Sequence, residues 1–225
     1  MGNWPEPARN YPITQKEVAD LAFETAVWEE NGLVHIAGLD EAGRGAVAGP
    51  VVAAAVILPL SAPERLKLLV GVHDSKQLTP KKRDGLYELI LEHALAYGIG
   101  RVSAEEIDRI GILPANVQAM EMAVGQLKPA ADYLLLDGRI RLKNVPLPQQ
   151  SIIKGDQKSL SIAAASILAK VSRDREMVAL DGEYPAYGFV RHKGYCTREH
   201  ELALLTHGPS PVHRHSFAPI RRPML

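Results

Sequence analysis

The stretch from His35 to Pro59 constrains the fold of this 225-residue chain more than any other part of it. An apolar run, Leu33–Leu39, ends on two acids, Asp40 and Glu41, and a second apolar run covers Val51–Leu58. Short β-rich runs bounded by glycine and proline predict two strands joined by a loop. The two acids are therefore expected where a buried strand emerges from the core.

The connecting loop carries Gly43 and Gly45 on either side of Arg44. Because successive strand side chains point to opposite faces, Asp40 and Glu41 can share a site only if the backbone bends after Asp40. Glycine permits such a bend and lets a ligand approach the backbone, and the forked arginine cation suits a phosphate. The alternative is a glycine-rich hairpin with solvated acids, but carboxylates beside bare backbone favour a functional loop.

Two further acids follow apolar runs later in the chain. The predicted strands Tyr133–Leu136 and Ile152–Lys154 lead to Asp137 and to Asp156. Four carboxylates brought together would raise their own pKa values unless cations neutralise them. Hard divalent ions, above all Mg²⁺, prefer oxygen ligands, and a pair of them can promote phosphodiester hydrolysis. Taken singly, each Asp could form a turn, and spacing alone does not show that the four converge.

Periodicity predicts the elements around these strands. A capping box at Thr14 and Glu17 indicates a helix to Glu30, and Thr79 with Pro80 opens another helix. The remaining predicted elements are a strand at Tyr97–Val102, a helical turn at 104–108, and helices at Pro114–Leu127, Leu160 to about Leu180 and Thr197–Leu205.

Charge is unevenly distributed, although the net charge is zero. Residues 1–30 carry six acidic and two basic side chains, whereas residues 151–225 carry seven acidic and eleven basic ones. A basic segment suits a nucleic-acid partner, although such runs are often only solvated faces. A second basic group surrounds the predicted helix start, where cations oppose the helix dipole, and this favours phosphate contact over a hydrated helix end. Its members are Lys76, Lys81, Lys82 and Arg83.

Other features of the composition indicate the compartment. The single cysteine, Cys196, excludes an internal disulfide and fits a reducing environment. The longest apolar run, Val51–Leu60, is about half as long as a membrane span, and the acids of residues 1–30 do not suit a signal peptide. We therefore expect a cytoplasmic protein without membrane association, in which Cys196 is a spectator.

Taken in order, these motifs resemble those of the type 2 ribonucleases H, specifically bacterial ribonuclease HII. The resemblance covers about residues 33–220 and implies an α/β fold, a ribonuclease H-like mixed sheet flanked by helices with a small helical C-terminal region. Its sheet would have three antiparallel strands followed by two joined through helices. We predict an N-terminal extension with one helix at 1–32 and a catalytic domain at 33–225. Further matching motifs are Asp74–Leu78, Leu136–Gly138, Lys154–Ser159, Ala163–Val171, Arg173–Arg175 and His192–Tyr195.

The resemblance also implies a reaction. It predicts an endoribonuclease that hydrolyses RNA paired with DNA, nicks beside single ribonucleotides embedded in duplex DNA, and leaves 3′-hydroxyl and 5′-phosphate ends. It assigns catalysis and the binding of two Mg²⁺ or Mn²⁺ ions to Asp40, Glu41, Asp137 and Asp156. We expect a monomer whose partners are RNA–DNA hybrids and ribonucleotide-containing duplexes; no protein partner is predicted.

The same resemblance implies the substrate contacts. Gly43, Arg44 and Gly45 are expected at the ribose 2′-hydroxyl, which distinguishes RNA from DNA, and at the adjacent phosphate. Tyr195 is expected to pack on the neighbouring deoxyribose and to select the RNA–DNA junction, unless it is a half-buried core aromatic. Further contacts are predicted at Lys76, Lys154 and Lys193.

Two alternative functions and one alternative site stay open. Another two-metal nuclease, such as a junction resolvase, would cut without a 2′-hydroxyl, and a hybrid-binding module would bind without cleaving. His213 and His215 have a spacing that suggests a metal site, but no cysteine or acid cluster accompanies them. We therefore interpret both histidines as surface or phosphate-proximal residues.

Overall fold

A computed structural model describes residues 19–69, 71–72 and 79–221 of the chain. Within these ranges five strands form one mixed sheet in the spatial order β3-β2-β1-β4-β5. The strands are β1 (Ile36–Ala42), β2 (Val51–Ile57), β3 (Ala96–Val102), β4 (Tyr133–Asp137) and β5 (Gln149–Ile152). The helices are α1 (Ala22–Asn31), α2 (Pro63–Lys67), α3 (Pro80–His93), α4 (Ala104–Ile110), α5 (Ile112–Val124), α6 (Leu160–Glu183), α7 (Phe189–His192), α8 (Arg198–His207) and α9 (Ala218–Arg221).

The strand directions follow the predicted topology. Strands β1, β2 and β3 are antiparallel neighbours, whereas β4 runs parallel to β1 and β5 parallel to β4. The chain reaches β4 through α4 and α5, because a parallel connection cannot be made by a tight turn. The prediction that the last two strands are joined through helices is wrong for β5, since the connection over residues 138–148 between β4 and β5 contains no helix. The predicted mixed sheet flanked by helices is confirmed.

Helices cover both faces of the sheet, so that β1 and β2 are buried on both sides. On one face the alanine-rich start of α6 packs with α3 against Ala54 and Val56. On the other face α5 packs against Ala53, Ala55 and Ile57. This alternation along β2 is the two-residue period of a strand, and different helices pack against its two faces.

Small residues let these helices lie directly on the sheet. A Cβ atom added at Gly38 in β1 would lie 2.2 Å from the backbone carbon of Ser161 in α6. A Cβ atom at Gly100 in β3 would lie 2.0 Å from the carbonyl oxygen of Ala119 in α5. Both glycines are therefore required by close backbone approach, and they fix the distance between the sheet and the helices that face the acids.

The N-terminal helix is joined to the start of α6 by a buried carboxylate. Glu24 is 1% exposed, and its Oε1 accepts hydrogen bonds from the Ser159 hydroxyl, the Ser161 N–H and the Ser161 hydroxyl at 2.7, 2.9 and 2.5 Å. Asp20 adds a β-bridge to Ser159. The predicted helix thus packs on the main domain, but it begins at Ala22, and the capping box at Thr14 lies outside the described residues.

The last part of the described chain folds around aromatic and histidine rings. Tyr187, Phe189 and Leu204 form a cluster with Met177 of α6 and Ala48 of the loop after β1. The helix predicted at Thr197–Leu205 is α8, and Thr197 caps it by accepting a hydrogen bond from the His200 N–H. None of the helices in the described ranges is long and apolar enough to cross a membrane.

We predict that Glu24→Ala lowers the free energy of unfolding by about 2 to 3 kcal/mol, because it leaves three buried donors near Ser159 without their acceptor. Urea unfolding measures the change. Glu30→Ala, an exposed acid on the same helix, is the matched control and should be nearly neutral. Equal effects of the two substitutions would contradict the role of the buried carboxylate.

Candidate active site

Neighbouring parallel strands place two of the predicted acids side by side. Leu39 of β1 pairs with Leu136 of β4. Asp40 and Asp137, the next residues on each strand, therefore lie side by side toward the carboxyl ends of these two parallel strands. Asp40 is only 3% exposed. Its Oδ1 accepts the Glu41 N–H at 2.8 Å.

The two consecutive acids point to opposite faces of β1. Asp40 interacts with Ser166 of α6, and Glu41 interacts with Asn116 of α5. The backbone does not bend between the two acids, because β1 stays paired with β2 as far as Ala42, and the bend that the glycines permit follows at Gly43. The charge of Asp137, at the end of the neighbouring strand β4, nevertheless raises the pKa of both acids.

Asp156 reaches this region from a turn rather than from a strand end. Strand β5 ends at Ile152, so the predicted strand Ile152–Lys154 is wrong; Lys154 has a left-handed backbone with φ +56°. Asp156 lies in the 3₁₀ turn Gly155–Gln157 and is 3% exposed. The Gly155 N–H donates to Asp137 Oδ1 at 2.7 Å, which ties this turn to the end of β4.

Burial and mutual repulsion perturb the acids. Burial raises the pKa of Asp40 well above 3.8, and the charges of Glu41 and Asp137 raise it further, against the lowering effect of a Ser166 hydrogen bond. Burial also raises the pKa of Glu41, which Asn116 and Arg44 lower in part. Each carboxylate therefore lies where a nearby cation would be stabilising.

The donor set fits a hard divalent cation, since the grouped acids offer only carboxylate oxygens. Across the described ranges, no group of three or more His, Cys, Asp or Glu side chains is arranged so that it could hold a metal ion by itself. Mg²⁺ does not require such a group, because it binds through one or two carboxylates together with waters and substrate oxygens. Coordination by all four predicted acids together stays a prediction.

The backbone bends at Gly43, which has φ +85°. A Cβ atom there would lie 1.8 Å from Nε of Arg173 in α6, so a side chain is excluded by both conformation and contact. Gly45 differs, because a Cβ atom built on it meets nothing within 4 Å. Its backbone is therefore open to a ligand, while Arg44 between them is exposed and lies 3.6 Å from Glu41.

Two buried arginines bind the backbone of this loop through hydrogen bonds. The Arg173 guanidinium donates to the carbonyl oxygens of Pro50, Lys193 and Ala48 at 2.9, 2.9 and 3.1 Å. Arg214 donates to those of Gly49 and Arg44, each at 3.0 Å. Burial, with Arg173 nearby, lowers the pKa of Arg214 to about 9. Two of the eleven cations in residues 151–225 thus lie in the interior rather than on a basic surface.

A groove of about 610 Å³ opens beside this loop and gathers several predicted substrate contacts. It is lined by Glu41, Gly43, Arg44, Gly45, Lys193 and Tyr195, among others. Tyr195 is 39% exposed, and the centroid of its ring lies 5.5 Å from the Arg173 guanidinium carbon. Tyr195 is therefore an exposed ring on the groove wall and not a core aromatic.

Other predicted contacts are placed differently. Lys76 lies outside the described residues. Lys154 is exposed and lies at the turn beside β5, away from the lining of this groove. Arg83, from the basic group at the start of α3, is largely buried and its Nη1 lies 3.9 Å from Asp174 Oδ2, but it lines the same groove as Glu41 and Tyr195.

Sequence reasoning missed the residues that support the site. Nothing in the local pattern distinguishes Arg173 or Arg214 from surface cations, and Asn116 lies in an ordinary amphipathic helix. The interpretation of His213 as a surface residue is wrong, since it is wholly buried. The proline-rich segment around it pairs with the loop after β1 through Ala48, a contact that only tertiary structure supplies.

We predict that Gly43→Ala and Gly45→Ala have different effects on stability. The first substitution should cost about 3 kcal/mol or more, because the new methyl group collides with Arg173 at a positive φ. The second should change the free energy of unfolding by less than about 0.5 kcal/mol. Denaturant unfolding of both variants checks this, and equal losses would contradict the described loop.

The raised pKa of Asp40 predicts a pH-dependent stability in the metal-free protein. Above pH 3.8 the unfolded chain releases a proton that the folded protein retains, so stability falls as the pH rises through the raised pKa. In the presence of EDTA, Asp40→Asn should raise the free energy of unfolding at pH 8, because the neutral amide carries no buried charge. The gain should shrink toward pH 4.

Unfolding curves of the wild type and Asp40→Asn at the two pH values provide the measurement. The exposed Glu30→Gln variant controls for a change of net charge elsewhere on the surface. A destabilised Asp40→Asn protein at pH 8 would show that the carboxylate is not held against repulsion.

Known proteins have sequences similar to this one along most of the chain. The family model described as ribonuclease HII matches residues 37–220. A ribonuclease HII of Geobacillus kaustophilus is 51% identical over 216 residues, 96% of this chain and 80% of that protein. One of Chloroflexus aurantiacus is 49% identical over 206 residues, 92% of this chain and 96% of that protein.

A solved structure shares the fold as well. The ribonuclease H2 of Pyrococcus horikoshii OT3 superposes with a TM-score of 0.70 and 29% sequence identity, and the match covers 83% of this chain and 95% of that one. With the acids at the edge of the sheet and the glycine-arginine-glycine loop beside them, the chain belongs to the ribonuclease HII family and is an endoribonuclease of the ribonuclease H type.

Proposed function

We propose that this protein hydrolyses the RNA strand of RNA–DNA hybrids and nicks DNA duplexes at single embedded ribonucleotides, leaving 3′-hydroxyl and 5′-phosphate ends. One observation carries the proposal. The acid Glu41, the open backbone at Gly45 and the exposed ring of Tyr195 line the same groove. A site that combines carboxylates, a bare backbone and a sugar-sized aromatic face suits a ribose phosphate backbone.

Recognition of the ribose is proposed at the loop after β1. An open backbone at Gly45 lets a sugar approach closely enough for its 2′-hydroxyl to hydrogen-bond to peptide groups, and that hydroxyl is absent from DNA. Arg44 is exposed beside it and can bind a phosphate through its planar fork. The carbonyl group of Arg44 is fixed by Arg214, so the loop does not need to reorganise when the substrate binds.

Catalysis is proposed at Asp40, Glu41, Asp137 and Asp156. Divalent ions held by these carboxylates, Mg²⁺ or Mn²⁺, would supply an activated water and stabilisation of the leaving oxygen. The protein's own contribution is to keep the carboxylates in place. Ser166 and the Glu41 N–H orient Asp40, and the Gly155 N–H orients Asp137.

A direct assay separates the proposal from its alternatives. The substrates are a DNA duplex with one ribonucleotide, the same duplex without it, and a long RNA–DNA hybrid, each with Mg²⁺ or Mn²⁺ and with EDTA. Metal-dependent nicking at the ribonucleotide alone supports the proposal. Equal cutting of the all-DNA duplex indicates a nuclease that ignores the 2′-hydroxyl, and binding without cleavage indicates a hybrid-binding module.

We predict that Asp40→Asn reduces kcat by about 10³-fold or more while hybrid affinity changes little, because the lost charge stabilises the transition state more than the bound substrate. Single-turnover cleavage and a binding titration measure the two effects. Most of the wild-type turnover at saturating Mg²⁺ would contradict the assignment of Asp40 to the ions.

Tyr195→Ala tests the junction. The ring offers an apolar face that suits a deoxyribose better than a ribose with its additional hydroxyl. The variant should lose more kcat/KM at a single embedded ribonucleotide than within a long hybrid, by roughly tenfold. Equal losses on the two substrates would mean that Tyr195 supports general binding and that the loop at Gly43 to Gly45 selects the junction.

A further inference from the structure

Behind Tyr195, two buried histidines form a hydrogen-bonded pair that the proposed chemistry does not use. His200 of α8 and His213 of the proline-rich segment are wholly buried. Their Nε2 atoms face each other at 2.9 Å. His200 Nδ1 lies 3.0 Å from the carbonyl oxygen of Tyr195, and the Ser210 N–H lies 2.9 Å from His213 Nδ1.

The partners of the pair fix where its protons lie. Since the Tyr195 carbonyl can only accept, His200 Nδ1 must carry a proton. Since the Ser210 N–H can only donate, His213 Nδ1 must be bare, and the neutral ring carries its proton on Nε2. His213 Nε2 therefore donates to His200 Nε2. A directed chain of hydrogen bonds runs from Ser210 through both rings to the Tyr195 carbonyl.

This chain works only while both rings are neutral, because a second proton between the two Nε2 atoms would leave two donors facing each other. Burial lowers the pKa of each ring to about 4. The histidines that act on the pair, His192 on both rings and His215 on His213, lower the pKa further. His192 stacks on His200 with 4.3 Å between ring centroids, and the rings of Tyr187 and Phe189 pack around both histidines.

The backbone of Tyr195 is thus held from one side while its ring is held from another. Arg173 contacts the ring at 5.5 Å and fixes the carbonyl of Lys193, two residues earlier. The Tyr195 N–H donates to His192 O at 2.9 Å. The Tyr195 carbonyl accepts two hydrogen bonds, one from the Thr197 N–H at 2.9 Å and one from His200 Nδ1 at 3.0 Å. The first comes from the neighbouring backbone, whereas the second ties Tyr195 to α8, and His213 determines which nitrogen of His200 carries the proton that makes it.

From this geometry we infer that His200 and His213 are a positioning pair for substrate selection. They fix the position of Tyr195 in which its ring packs on the sugar of the substrate. They act through the backbone of Tyr195 and do not contact the substrate themselves. The inference rests on the proposed role of Tyr195 at the RNA–DNA junction. It adds two specificity-determining residues that lie outside the groove.

Substitutions at His200 test the inference. His200→Phe keeps a ring in the stack but removes the side-chain donor to the Tyr195 carbonyl and leaves only the Thr197 N–H, so kcat/KM at a single embedded ribonucleotide should fall by roughly five- to tenfold. The loss on a long RNA–DNA hybrid should stay within about twofold. His200→Asn places an amide N–H near the position of Nδ1 and should restore the single-ribonucleotide activity to within about threefold of wild type.

Two controls separate positioning from a general loss of structure. His207→Phe changes an exposed histidine of the same helix that contacts the edge of Tyr187, and it should leave the ratio of the two kcat/KM values unchanged. In a Tyr195→Ala background, His200→Phe should cause no further loss in that ratio, because both changes remove the same interaction. Equal losses on the two substrates, or additive losses in the double variant, would overturn the inference.

Proton-detected nitrogen NMR of the wild-type histidine rings tests the bond chain without activity. We expect His200 as the Nδ1–H tautomer and His213 as the Nε2–H tautomer, both neutral from pH 8 to pH 5. The opposite tautomers, or a charged ring at pH 7, would overturn the positioning pair whatever the kinetics show. If the wild type cleaves no ribonucleotide substrate, the proposed function fails, while the NMR result still decides whether the bond chain exists.

Discussion

Two buried guanidinium groups bind the backbone that presents the site, and the remaining features depend on them. Arg173 and Arg214 together bind carbonyl groups of residues 44 and 48–50 and of Lys193. Burying a cation is costly by several kcal/mol unless strong hydrogen bonds replace water. The carbonyl groups provide these bonds, and the arginines in turn fix a loop that has no regular structure of its own. The bend at Gly43 packs directly against the side chain of Arg173.

The acids of β1 are likewise largely buried and contact polar groups of the neighbouring helices. Strand alternation directs Asp40 toward α6 and Glu41 toward α5, so each helix contributes one polar side chain, Ser166 or Asn116, to an otherwise apolar contact. Close packing at Gly38 brings α6 near enough for this. Burial raises the pKa of Asp40 and Glu41, and repulsion from neighbouring carboxylates raises it further, which is the condition under which a divalent cation binds with a net gain.

Much of the fold was predictable because local patterns and tertiary packing agree. The two apolar runs around residues 33–58, the Thr79–Pro80 helix start and the helix near residues 197–205 all depend on neighbours within four residues, and each appears in the structure. The strand Ile152–Lys154 was not predictable in the same way, since Lys154 adopts a left-handed conformation set by the Gly155 contact with Asp137. The end of β1 was misplaced for a similar reason, because pairing with β2 continues past the acids.

The sequence by itself determined the family, the order of the strands through the resemblance, and the residue types that can bind a cation and a phosphate. It could do so because those properties are carried by short motifs, above all residues 40–45. Only the tertiary structure decided that Arg173, Arg214 and His213 are interior residues, that Tyr195 is exposed on the groove, and that Asp40 and Glu41 face different helices. These properties arise from contacts between segments that are distant in the sequence, 170 residues apart for Arg214 and Arg44, where a charged or aromatic side chain has no local pattern that shows which groups will surround it.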